Sequence, residues 1–317
     1  MKAAIVEQRG IEPVYGDFEA PKESEGNVIV DVTASALSNL TKMRAMGRHY
    51  SASQIFPNVA GTDGVGIVNG KRVYFLATNA PYGTLAEKTL VNQKLIIPLP
   101  DGIDDVTAAA IANPGMSSWA ALVSRAHFEA GQTVLINGAT GTAGSLAVKI
   151  AYHLGAKKVI VTGRNAEKLS KLGADKAIAF DMTAADGANQ FTSNLADTFE
   201  AGVDVVLDYL WGDSALAIMT AVAKFGGHNV TRFVSIGASA GQADIALPSA
   251  VLRSSAIEIL GSGVKSATMS ELMSAINGVF QWAAKENIQM KTNNFSLAEI
   301  EKAWKAPLSP RAVVTVK

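Results

Sequence analysis

The sequence predicts an α/β protein in which a doubly wound parallel sheet follows a mainly β segment. Three observations carry that expectation. Apolar runs that read as buried strands, Val134–Ile136, Val159–Val161 and Val203–Asp208, alternate with helical segments. The N-terminal part holds short strands divided by Gly and Pro turns instead. A glycine-punctuated turn joins a strand to an amphipathic helix within Thr133–Arg164, TVLINGATGTAGSLAVKIAYHLGAKKVIVTGR.

In that stretch Leu146, Ile150 and Leu154 recur at helical spacing beside Ala147 and Ala151, so one helix face can press on a sheet. Strand, turn, helix and strand in this order form the unit that binds dinucleotides. Small residues at Gly141 and Gly144 let the backbone approach a pyrophosphate, and the N–H groups of the helix start face the anion. The expected contacts are Ala139, Thr140, Gly141, Thr142, Ala143 and Gly144. Ala139 stands where the first glycine of GxGxxG belongs, which weakens the bare pattern.

The end of the second strand bears on the choice of coenzyme. A carboxylate there would hold the ribose 2′-hydroxyl of NAD, and the chain has Gly163, Arg164 and Asn165 instead. A guanidinium is a planar bidentate donor for a 2′-phosphate, and Lys168 lies one turn further on, so NADP(H) is the expected cofactor. The alternative use of these residues is ordinary: Asn165 caps the next helix, and Arg164 and Lys168 are solvated charges.

Composition narrows the remaining classes. The chain of 317 residues is 48% apolar and 18% charged, in keeping with a globular enzyme of two domains. Lys plus Arg equals Asp plus Glu at 28 each, which gives no support to a nucleic-acid or anionic-membrane partner. The N-terminus lacks a signal-peptide core and no apolar run matches a membrane span, so a cytoplasmic location is expected. The absence of cysteine removes disulfides, thiolate nucleophiles and cysteine-based zinc sites.

In chain order, Ala3–Val6 and Val28–Ala34 read as strands, and Ser35–Tyr50 as a loop and short helix leaving a strand end. Val59–Val68, Arg72–Leu76 and Thr84–Val91 add strands of a small barrel-like domain. Asp104–Ala112 and Ser117–Ser124 read as two helices, broken by Pro114 and Gly115. Ala177–Asp181, Val203–Asp208, Arg232–Gly237 and Ile257–Gly261 are further strands. Ligands lie at the carboxyl ends of such strands, which brings Gly237 and Ala238 to the expected site. Ser270–Lys285 is a long helix with a Leu272, Ile276 and Val279 stripe, Ser296 and Glu299 form a capping box, and Ala312–Val316 is a final strand.

Four stretches, SALSNLTKMRAMG, FPNVAGTDGVGIV, NGATGTAG with its helix, and DVVLDYLWG with FVSIGASAG, make the chain similar to the medium-chain dehydrogenase/reductase superfamily, in its zinc-independent NADPH:quinone oxidoreductase branch. The resemblance implies a Rossmann sheet inserted into a GroES-like, mainly β catalytic domain. The implied bounds are 1–107 for the first part of the catalytic domain, 108–253 for the Rossmann NADP-binding domain, and 254–317 for the last Rossmann strand and the return to the catalytic domain. It also implies a homodimer through the sheet edge near Ile257–Gly261 and a small electrophilic acceptor. Zinc-dependent relatives carry Gly-His-Glu where this chain has Gly61, Thr62 and Asp63, so no metal is expected. Quinone reductases often carry Asn-Pro-x-Asp where Ser38, Asn39, Leu40 and Thr41 stand here. Tyr50 falls near a family tyrosine at the substrate mouth, and Ser117 matches a threonine near the nicotinamide.

The implied reaction is hydride transfer from NADPH to a quinone or to the β-carbon of an enone. Tyr50 and then Ser38 are the candidates to stabilise the developing anion. A metal-free ketone or aldehyde reductase, and an NADPH-binding sensor or structural protein without turnover, remain as alternatives.

Overall fold

The computed structural model describes every residue except Tyr50, Ser51, Ala77, Val264, Leu308 and Lys317. The chain divides into two compact units, Met1–Asn113 with Ile276–Lys317, and Pro114–Ala275. In the first unit the strands are β1 (Lys2–Val6), β2 (Val14–Asp17), β3 (Asn27–Ala36), β4 (Asn58–Val59), β5 (Asp63–Val68), β6 (Lys71–Leu76), β7 (Lys88–Asn92) and β8 (Ile96–Pro98). The second unit contributes β9 (Thr133–Asn137), β10 (Lys158–Gly163), β11 (Lys176–Ala179), β12 (Val205–Asp208), β13 (Thr231–Ser235) and β14 (Ile257–Gly261). The chain then returns to the first unit with β15 (Thr292–Ser296) and β16 (Arg311–Thr315).

The first unit is built of two sheets. A small antiparallel sheet runs β2-β1-β4, and a larger one runs β15-β16-β3-β5-β6-β8 with β7 also on β3. The hairpin of β5 and β6 closes on Asn69 and Gly70, both at positive φ (51° and 73°). A two-residue turn of that kind follows the twist of its strands and fixes the register that pairs Asp63 with Leu76. Alternating residues of these strands, among them Val30, Val32, Val73, Phe75 and Val314, meet Trp304 and Ile300 in one apolar core. From the helix Met269–Lys285, Phe280 adds an edge contact to Tyr74, with ring centroids 5.2 Å apart. Ser296 and Glu299 close the expected capping box.

The second unit holds one parallel sheet in the order β11-β10-β9-β12-β13-β14. The direction of winding reverses between β9 and β12, the place where such sheets open a crevice. Val134, Leu135 and Ile136 of β9 are fully buried, as the uninterrupted apolar run requires of a central parallel strand. The helix Thr142–His153 buries Leu146, Ala147, Ile150 and Ala151, while Ala215, Ile218, Met219 and Val222 of Gly212–Phe225 pack in a cluster with Leu135 and Phe233. Each large aliphatic side chain removed from water contributes roughly 1.5–3 kcal/mol.

Two local expectations are corrected. Pro114 does not separate two helices: one helix runs Asp105–Ala120 and loosens into a π turn over Ala121–Arg125. The missing proline N–H costs roughly 3 kcal/mol in a helix interior, but residues 108–112 before it and 120–122 after it are buried, and a break would expose them. The hydroxyls of Ser117 and Ser118 both donate to the Pro114 carbonyl. The second correction moves the expected strand Arg232–Gly237 to Thr231–Ser235: the Ile236 N–H takes the last rung of the parallel ladder on the Asp208 carbonyl, and the Gly237 N–H turns to that same oxygen at 3.3 Å, which ends the pairing.

Candidate functional site

In the second unit the turn after β9 assigns each glycine a different duty. Gly138 has φ +87°, a conformation that side chains rarely adopt, and it provides the sharp reversal. Ala139, one residue later, is absent from the positive-φ set and fully buried, and its N–H donates to the Thr162 carbonyl at 3.1 Å. Alanine is therefore acceptable there. A Cβ on Gly144 would lie 2.5 Å from the Gly138 carbonyl oxygen, so this glycine lets the helix close on the turn. Gly141 is different: its φ is −77°, and a Cβ would meet only the Gly138 oxygen at 3.6 Å, an ordinary contact. Gly141 also begins the helix Thr142–His153 without any side-chain cap.

At the ends of β9 and β12 lies a buried polar network. Thr162 donates to Asn137 Oδ1 at 2.7 Å, and Asn137 Nδ2 donates to Asp208 Oδ1 at 2.8 Å and to Ser214 Oγ at 3.0 Å. The N–H groups of Leu210 and Trp211 also point at the Asp208 carboxylate. Burial raises the Asp208 pKa to about 6, against the pull of those donors. Trp211 is held at φ 61°, ψ −162°, a backbone region that is almost entirely glycine's. The neighbouring loop is stitched to the same place, since Ser239 N–H and Oγ both donate to the Tyr209 carbonyl. A side chain at Gly237 would begin 3.1 Å from that oxygen. The buried Tyr209 hydroxyl meets Ser118 Oγ at 2.7 Å, and burial drives its pKa upward.

In the first unit a second buried polar group surrounds Asp63. Thr62 Oγ1 donates to Asp63 Oδ1 at 2.7 Å and the Tyr74 hydroxyl donates to Oδ2 at 2.9 Å. Thr62 Oγ1 is 3.2 Å from Thr41 Oγ1, which is 2.9 Å from Ser38 Oγ. Ser38 also accepts from the Thr41 N–H at 3.0 Å and so caps the helix Asn39–Ala45. Burial lowers the pKa of the Arg311 guanidinium, and the Asp63 charge opposes that shift. Arg44 shows the same two influences in the same order. Thr41, Arg44, Asn58, Gly61 and Tyr82 line a cleft beside this group.

Comparison with known proteins agrees with this arrangement of sheet, turn and strand ends. The model of the zinc-binding dehydrogenase family matches residues 143–278. The chain is 26% identical to the probable NADPH-dependent quinone reductase tdiC of Emericella nidulans, over 92% of both chains. The fold of a quinone oxidoreductase from Thermus thermophilus, solved also in complex with NADPH, superposes with a TM-score of 0.79 at 25% identity, covering 99% of this chain and 100% of that one. These likenesses support the medium-chain dehydrogenase/reductase superfamily, in its quinone oxidoreductase branch. The chain is 31% identical to the NADPH-dependent alkenal/one oxidoreductase of Arabidopsis thaliana over 65% of this chain, and spans 57% of that relative. It spans 10% of a mycocerosic acid synthase-like polyketide synthase of Mycobacterium tuberculosis and 10% of a phthioceranic/hydroxyphthioceranic acid synthase of Mycobacterium bovis, at 30% identity to each.

Within this superfamily the zinc-dependent members carry histidine where Thr62 stands. The residues present do not fit a zinc ion: the chain has no cysteine, Thr62 gives its hydrogen to Asp63, and no group of three His, Asp or Glu suited to a metal occurs among the described residues. Of the coenzyme residues expected from sequence, 139–144 form the turn and helix start. Gly163 ends β10, where its own Cβ position falls near Thr140, and Arg164 is exposed beyond it. Asn165 accepts from the Lys168 N–H and caps the short helix Ala166–Ser170, so its carbonyl oxygen is engaged; Lys168 is exposed. Ser117 is half-buried and bound to the Pro114 carbonyl, whereas its neighbour Ser118 reaches the Ala143 carbonyl and Tyr209. Tyr50 lies outside the described residues.

The sequence marks Asp208 only as a strand end that opens on the crevice, and does not mark Asn137, Ser118, Tyr74 or Arg311. An available signal was a lone polar residue within an apolar strand: Asn137 and Asp208 end such runs, and Arg311 begins one.

Proposed function

We propose that the protein is an NADPH-dependent reductase that transfers hydride to a quinone or to the β-carbon of an α,β-unsaturated carbonyl compound. The observation that carries this reading is Gly141. Neither its own backbone conformation nor its neighbours demand a glycine, and it opens an uncapped helix N-terminus, so the missing side chain suits a diphosphate more than it suits the fold. The named activities of the relatives from Emericella nidulans and Arabidopsis thaliana support the same class.

The backbone of residues 141–144 would hold the diphosphate, and Arg164 with Lys168 the 2′-phosphate. The strand-end loops carrying Gly237 and Ala238, with Ser117, would border the nicotinamide. The cofactor, when bound, supplies the hydride. The chain's own part is to orient the acceptor, keep water away and place a hydrogen-bond donor at the acceptor oxygen where negative charge develops. Ser38 and Tyr50 are assigned that role. The reaction proceeds without zinc, on the donor set described above.

The protein is further read as a cytoplasmic homodimer. No helix among the described residues is long and apolar enough to cross a membrane. β14 ends the parallel sheet order, and Ile259 on it is 39% exposed, which suits pairing with a second copy.

The test offers the purified protein NADPH with 1,4-benzoquinone, methyl vinyl ketone or a simple ketone, and follows loss of the reduced cofactor. Turnover with the quinone or the enone is expected. Turnover with the simple ketone alone would assign a ketone reductase, and tight NADPH binding without any turnover would assign a sensor or structural role.

A further inference from the structure

The hydrogen bonds around Asp63 have a direction, and that direction reaches Ser38. Both carboxylate oxygens accept from hydroxyls, one from Thr62 and one from Tyr74. A threonine hydroxyl has one hydrogen, so Thr62, having given its own to Asp63, can only accept from Thr41 across their 3.2 Å contact. Thr41 likewise has one hydrogen and two neighbours, Thr62 and Ser38. If it turns to Thr62, Ser38 can donate to it, and all the contacts from Ser38 to Asp63 carry a hydrogen. If it turns to Ser38, two bare oxygens face each other at 3.2 Å and one hydrogen bond is lost. Ser38, Thr41, Thr62 and Asp63 are all buried, with Thr41 only 1% exposed, so water does not readily make up that loss.

We propose that Asp63 orders the hydroxyl hydrogens of Thr62, Thr41 and Ser38 inward, so that Ser38 at rest presents a lone pair, and that Thr41 is the pivot whose rotation frees the Ser38 hydrogen for the acceptor oxygen. Thr41 and Thr62 are then positioning residues, which restrain the donor rather than touch the reacting atoms. This deepens the reading of Ser38 given above and rests on it. Turning Thr41 gives up about one neutral hydrogen bond, which corresponds to about a fivefold restraint on rate.

Steady-state kinetics with NADPH and methyl vinyl ketone, in the full-length protein, test the idea. Ser38→Ala is expected to lower kcat. Thr41→Val and Thr62→Val, each nearly isosteric and each unable to hold the inward chain, are expected to raise kcat about fivefold with KM little changed. Thr41→Ser, which keeps the hydroxyl, should show no gain, and Ser38→Ala combined with Thr41→Val should show none either. A fall in kcat for Thr41→Val as large as that for Ser38→Ala would overturn the inference and leave Ser38 as donor. If Ser38→Ala has no effect, the role given to Ser38 is wrong, and neutron diffraction on the wild-type protein decides the hydrogen order by itself. Deuterium on Ser38 Oγ aimed at Thr41 upholds the inward chain, and deuterium aimed elsewhere overturns it.

Discussion

Asp63 and Asp208 are both buried carboxylates, one in each unit, and they are held in opposite ways. Asp208 is surrounded by neutral donors whose polarity is fixed: an amide side chain and two backbone N–H groups. Asp63 accepts from two hydroxyls and feels the charge of Arg311 and Arg44. Fixed dipoles make a rigid joint, which suits Asp208, since it holds Leu210 and Trp211 in a strand-end loop. Hydroxyls can turn, so around Asp63 the carboxylate decides which way its neighbours point. On the proposed reading, turnable hydroxyls surround the carboxylate at the site where a hydrogen has to move, and fixed dipoles the one where nothing should.

The contrast can be broken most forcefully at Asp63. Asp63→Ala removes the acceptor of Thr62 and Tyr74 and leaves buried Arg311 without its nearby counter-charge; about 3–5 kcal/mol of stability should be lost in urea denaturation. At Asp208 the expected effect is a pH dependence. Its pKa rises from 3.8 to about 6 on folding, which corresponds to about 3 kcal/mol. A carboxyl whose folded pKa is raised favours the native state while both states are protonated, and this contribution disappears as pH climbs from about 4 to 6. Urea midpoints measured across that range should move against the wild type relative to Asp208→Asn. A flat difference would mean that the carboxylate is better solvated than its burial implies.

A smaller effect is expected at the coenzyme end. Arg164→Ala should cut the preference for NADPH over NADH by about tenfold or more, the worth of a charge-assisted pair, as measured by fluorescence titration with both nucleotides. An unchanged preference would place 2′-phosphate recognition on other residues. The smallest effect concerns the scaffold itself. Gly141→Ala should keep stability within about 0.5 kcal/mol of wild type while weakening NADPH binding, whereas Gly144→Ala should reduce both, because its Cβ would meet the Gly138 carbonyl.

How much of this could be read from the chain differs between the two units. The parallel sheet announced itself, because strand segments 134–136 and 205–207 are buried on both faces and leave unbroken apolar runs. Pro114 misled for an equally physical reason: a local breaker was outweighed by buried neighbours that sequence alone does not weigh against it. Ala139 looked like a defect in the glycine pattern, yet the positive φ belongs to Gly138. The hydroxyl chain was not legible at all. Ser38, Thr62, Tyr74 and Arg311 come together only through the pairing of β5 with β6 and β3, and of β3 with β16. A one-residue slip in any of those registers would scatter them.

The geometry at position 141 has a practical side. Its neighbours Gly138 and Gly144 are locked in place by the architecture, so changes there would forfeit the scaffold along with the ligand. On the proposed reading position 141 answers to the nucleotide rather than to the fold, and a library of small residues at that one codon offers a way to retune coenzyme affinity while the surrounding framework stays intact.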